Sequence, residues 1–86
     1  MKTIYKYPLD VLGYVRLMLP VGAKILTAQV QNNRICLWVE VETENDLDMR
    51  RLWILGTGMK FPLDVDLRYI ATVQQGMFVW HVHEEN

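Results

Sequence analysis

Five arginines, Arg16, Arg34, Arg50, Arg51 and Arg68, with Lys6 and Lys24, alternate along the chain with Tyr5, Tyr7, Tyr14, Trp38 and Trp53. Guanidinium forks grip phosphates and aromatic rings stack on bases, so this mixture is suited to holding a nucleotide. The same residue types dominate protein–protein hot spots. Charged residues also guard exposed strands against aggregation. All three uses remain open at this level. Arg34 sits beside a turn, Arg16 lies within a strand, and Arg51 and Arg68 each begin a strand near an irregular connection. Such positions on a rigid sheet commonly carry binding groups. The expected ligand-binding set is therefore Arg16, Arg34, Arg51 and Arg68, with Trp38 and Tyr7 as the stacking partners.

Other groups point less far. His81 and His83 are spaced by two, which on a strand puts both imidazoles on one face, as two metal ligands would sit. The chain has no third histidine, and Glu84 and Glu85 read as tail residues, so no metal is assigned. Gly56-Thr57-Gly58 lacks the spacing of a phosphate loop or a dinucleotide fingerprint, and reads as a strand-ending turn. Its backbone N–H groups could still meet an anion. Cys36 has no neighbouring histidine in sequence to lower its pKa and reads as structural. Asp46, Asp48, Asp64 and Asp66 lack the pattern of a calcium loop. There is no serine at all. No catalytic set emerges and no cofactor is implied; a binding protein is expected rather than an enzyme.

The elements that must position these residues are strands. Lys24–Gln31 and Arg34–Val41 alternate around Asn32-Asn33, a pair that tolerates the positive φ of a two-residue hairpin turn. Folding there opposes Val30 with Ile35, Ala28 with Leu37 and Leu26 with Val39 on one apolar face. A second hairpin, Arg68–Gln74 with Met77–His83, turns at Gln75-Gly76 and opposes Val73 with Phe78, Ala71 with Trp80 and Tyr69 with Val82. Arg51–Leu55 reads as a short, fully buried strand, and Thr3–Leu9 and Tyr14–Leu19 as two more. Glu42–Asp48 and Met59–Asp66 read as connections, the second anchored by Phe61 and Leu63. About six strands in one domain, residues 1–86, make an all-β fold, a small antiparallel two-layer sandwich or open barrel.

Composition bounds the rest. Of 86 residues, 51% are hydrophobic, enough for a core, which excludes a disordered chain. Nine basic residues against ten acidic leave a formal net charge of −1, without the basic excess of a non-specific nucleic-acid binder. No apolar run is long enough to span a membrane as a helix, and the N-terminus has no secretory h-region. One cysteine allows no internal disulfide, which fits a cytoplasmic setting. Trp38, Trp53, Trp80, Leu55, Val79, Met77 and Met18 would overfill so small a core, which points to a homo-oligomer.

Lys6-Tyr7-Pro8-Leu9, Gly22–Leu26 with Gln29–Asn32, Leu37-Trp38, Gly56-Thr57-Gly58 and the ending Phe78-Val79-Trp80-His81-Val82 occur together in this order. The order resembles a family of short proteins, found largely in phages and prophages, that share a domain of unknown function. The resemblance covers nearly the whole chain, and its ending is the most specific part. It implies no activity and carries over no catalytic residue. It does imply a phage accessory role, and small proteins of that kind often block a host defence. Two modes are expected: sequestering a small nucleotide signal without turnover, or covering a host defence protein through an aromatic surface patch.

Overall fold

In the computed structural model, which describes residues 1–10 and 13–86, seven strands follow one another. They are β1 (Lys2–Leu9), β2 (Tyr14–Pro20), β3 (Lys24–Gln31), β4 (Arg34–Glu42), β5 (Leu47–Gly56), β6 (Leu67–Gln75) and β7 (Phe78–Glu85). All pairings are antiparallel, in two sheets ordered β1-β4-β3 and β2-β5-β7-β6. The fold is the expected all-β sandwich and no closed barrel; its seven strands match the seven segments named from the sequence, one more than the count of about six. Among the described residues no helix is long and apolar enough to cross a membrane.

Alternation builds the core. Ile35, Leu37, Val39 and Val41 take every second position of β4 and are fully shielded, as are Leu52 and Ile54 of β5 and Val82 of β7. They pack between the sheets with Leu9, Leu19, Ile25, Ala28 and Val73. The β3–β4 hairpin turns at Asn32-Asn33, with φ of 51° and 62°, a left-handed conformation that asparagine adopts more readily than most residues. Val30 opposes Ile35 and Ala28 opposes Leu37 as expected. The expected Leu26–Val39 pair does not form. A bulge between Ile25 and Thr27 puts Ile25 opposite Val39 and leaves Leu26 exposed. One extra residue reverses the faces beyond it, so Ile25 takes the core position.

The second hairpin differs in its turn. Its loop is Gly76-Met77, so Gln75 opposes Phe78, Val73 opposes Trp80 and Ala71 opposes Val82. Gly76, at φ 58°, occupies the first loop position, where primed hairpin turns demand positive φ. A bulge between Tyr69 and Ala71 then sets Tyr69 opposite His83, while Ile70 packs against the core. Strand β5 is longer than expected and takes in Asp48. It is not fully buried: Leu52 and Ile54 point inward, whereas Arg51 is exposed and Trp53 is only half-buried. Trp53→Ala therefore removes surface packing rather than opening the core. In the connection between β5 and β6, Phe61 packs on His83, but Leu63 is 88% exposed and anchors nothing.

One end of the interior is ionic. Glu84, on the inward face of β7, is 5% exposed. Its carboxylate accepts two hydrogen bonds from Arg50 of β5, one of them 3.0 Å long, and another from Arg68 of β6. Arg50 also donates from Nη1 to the carbonyl of Ala23 at 2.8 Å, in the turn that leads into β3. Three strands of one sheet are thereby tied to the entry of the other. Burial pushes the Glu84 carboxyl up, but the hydrogen bonds and charges of Arg50 and Arg68 outweigh it and hold the pKa below 4.5. Glu84 therefore stabilises the fold fully above about pH 4.5, and that contribution disappears as pH falls through the lower folded value. Glu84→Ala, which strands Arg50 in the interior, should cost about 3 kcal/mol in urea unfolding at pH 7 and flatten the acid limb of the stability curve. Arg34→Ala, which removes only the exposed pair with Asp10, should shift stability by less than about 1 kcal/mol.

Candidate functional site

The outer face of the four-stranded sheet collects what the core rejects. With Leu52 and Ile54 pointing inward, Arg51, Trp53 and Leu55 of β5 must point outward. By register they meet Arg16 and Tyr14 of β2 on one side, and His83 and His81 of β7 on the other. Tyr69 and Thr72 of β6 stand opposite those histidines. An aromatic row thus crosses all four strands: Tyr14, Trp53, His83, Tyr69. The Tyr14 and Trp53 rings lie 4.8 Å apart, and Phe61 and Tyr69 each present an edge to His83, at 5.1 and 5.6 Å.

Beside this row, Arg16 and Arg51 are directly opposed across β2 and β5. Among the described residues neither forms an ion pair within 4.0 Å. Like charges opposed on neighbouring strands repel, and an anion between them would turn that cost into attraction. The nearby Glu85 carboxylate accepts the Trp53 indole N–H at 2.8 Å, which fixes the ring.

At the other end of the row lies a cleft of about 280 Å³ between the sheet and the start of the β5–β6 connection. Leu55, Thr57, Met59, Phe61, Tyr69, His81 and His83 line it. The connection covers Leu55, which is buried on this outer face and belongs to no part of the central core. Both ring nitrogens of His81 are engaged: Nε2 with Thr57 Oγ1 at 2.8 Å and Nδ1 with Thr72 Oγ1 at 3.0 Å. Thr72 Oγ1 in turn meets the Tyr69 hydroxyl at 2.8 Å. His83 Nδ1 donates to the His81 carbonyl at 3.3 Å. Among the described residues no cluster of three or more His, Cys, Asp or Glu could hold a metal ion.

The six expected ligand-binding residues do not share one place. Arg16 and Arg51 come together, beside Tyr14. Arg68 is committed to Glu84. Arg34 stands at the hairpin tip against Asp10 at 3.2 Å. Trp38 lies on β4 between Lys6 and Thr27, on the other sheet. Tyr7, opposite Leu37, packs against the core, where burial and then the neighbouring Tyr5 push its hydroxyl pKa up. Thr57, Thr72, Tyr69 and Phe61 escaped sequence reasoning. Their one signal was the Gly56-Thr57-Gly58 turn following an apolar strand. Glu84, read as a tail residue, is instead the most deeply paired acid among the described residues.

Fold and face together define a small two-sheet β-sandwich with a cationic and aromatic outer surface. The chain belongs to the family described as a domain of unknown function, DUF7352, which matches residues 1–86. No curated protein and no solved structure matches it. The opposed arginines make a direct prediction about stability. Arg51→Glu places an opposite charge across from Arg16 and should raise the urea midpoint, while Arg51→Lys should leave it unchanged.

Proposed function

We propose that this protein captures a small nucleotide without turnover, on the outer face of the β2-β5-β7-β6 sheet. The observation that carries this reading is the directly opposed Arg16 and Arg51, without an ion pair among the described residues, beside the Tyr14–Trp53 aromatic pair. Two guanidinium groups offer planar forks to phosphate oxygens, and the aromatic row that runs from them across the sheet offers flat faces to a base. The phage setting implied by the sequence resemblance supplies a purpose: a counter-defence protein that removes a host nucleotide signal by holding it. Holding requires no catalytic group.

A second reading rests on a different surface. The β6–β7 hairpin tip projects Met77, 96% exposed, and Phe78, which stacks on Trp80 at 5.7 Å. An apolar tip of this kind suits insertion into a host defence protein. Calorimetry against cyclic nucleotides, cyclic dinucleotides and ADP-ribose derivatives separates the two. Heat with at least one of these ligands is expected. Arg51→Ala and Arg16→Ala should each weaken that binding by roughly 1.5–3 kcal/mol while leaving the far-UV spectrum unchanged. No heat with any ligand, together with loss of a host protein in pull-downs on Met77→Asp, would transfer the function to the hairpin tip.

A further inference from the structure

The cleft at the far end of the aromatic row holds a chain of four hydrogen-bonding groups, Tyr69–Thr72–His81–Thr57, linked at 2.8, 3.0 and 2.8 Å. Its two ends, Tyr69 and Thr57, line the cleft, whereas the exposed Thr72 does not. A hydroxyl both donates and accepts, and a neutral imidazole donates from one nitrogen and accepts at the other. While His81 is neutral, its tautomer decides which ring nitrogen donates. If Tyr69 donates to Thr72 and Thr72 to Nδ1, then Nε2–H donates to Thr57, whose own hydroxyl is free to donate into the cleft. If Thr57 donates to Nε2 and Nδ1–H to Thr72, Thr72 can donate on to Tyr69, which leaves the Tyr69 hydroxyl as the free donor. In both of these arrangements the cleft sees one donor and one acceptor, and the tautomer change at His81 exchanges them.

The walls around this chain are apolar or aromatic: Leu55, Met59, Phe61 and the His83 ring. A half-open cleft with such walls, one donor and one acceptor suits the edge of a heteroaromatic ring that carries both, as nucleobase edges do. Along β5, Arg51 is four residues from Leu55, about 13 Å at 3.3 Å per residue, and its side chain shortens the gap to a phosphate. We infer that the cleft takes the nucleobase of the bound nucleotide and reads its edge through Thr57 and Tyr69. This assignment rests on the reading that Arg16 and Arg51 hold the phosphate. Thr72 and His81 are positioning residues here: they set which end donates.

Nuclear magnetic resonance of the ¹⁵N-labelled protein, titrated separately with AMP, adenosine and inorganic pyrophosphate, tests this. AMP should move the His81 ring nitrogens as well as the Arg16 and Arg51 side-chain signals. Pyrophosphate should move the arginines alone, and adenosine His81 alone. Thr57→Val should weaken AMP about three- to tenfold and leave pyrophosphate unchanged. Thr72→Val, which breaks the chain without lining the cleft, should alter the His81 tautomer signals in the free protein and weaken AMP by a similar factor. If AMP and pyrophosphate both move the arginines while His81 stays still and neither valine variant matters, the base assignment is overturned and the phosphate reading survives. If neither phosphate probe moves the arginines, the phosphate reading fails. Adenosine then decides the cleft: movement of His81 supports a base site, and silence overturns it.

Discussion

Everything in this sandwich is arranged around the carboxylate of Glu84. A carboxylate taken out of water is costly unless charge and hydrogen bonds compensate, and here two guanidinium groups do so. Arg50 comes from β5, Arg68 from β6 and Glu84 from β7, so the cluster fixes the mutual register of three strands. By reaching the carbonyl of Ala23, Arg50 extends the same constraint to the start of β3 and hence to the opposing sheet. A purely apolar core would tolerate small slips between layers. A buried ion cluster does not, because any displacement strands a charge.

The consequence for function is a division of the arginines by face. On β5, Arg50 and Arg51 are adjacent in sequence and therefore point to opposite sides of the sheet. The inner one is consumed by Glu84 and the outer one is left against Arg16. Arg50 spends its N–H groups on Glu84 and on the Ala23 carbonyl, and is not spared for a ligand. The repulsion between Arg16 and Arg51 persists on a sheet whose position the interior has already fixed.

The outer face also explains the irregular connection between β5 and β6. Residues 57–61 lie against this face beside the buried Leu55 and bring Thr57 and Phe61 to the histidines. A bare sheet face would offer stacking but no enclosure. With this connection in place, the same face has an open charged end and a walled polar end. The two ends are joined by the Tyr14–Trp53–His83–Tyr69 row.

The amino-acid order determined the strands, the Asn32-Asn33 turn and the inward set of β4 by itself, because period-two alternation and left-handed turn residues are local properties. It also paired His81 and His83 on one face, by the same rule. Register beyond a bulge was not legible: Leu26 and Tyr69 sit on apparently apolar stripes, yet one extra residue turns each to the other side. The grouping of the arginines was not legible either. Arg16 lies far from Arg51 in sequence, and only the pairing of β2 with β5 opposes them. Glu84 reads as a tail acid until β5 and β6 close around it. The Tyr69–Thr72–His81–Thr57 chain draws on two strands and a turn, and none of its members is unusual alone. Local backbone preference acts over a few residues and is written in the sequence. Which charges are buried, which are opposed and which hydroxyls meet an imidazole depend on contacts between distant segments, and those exist only once the two sheets have packed.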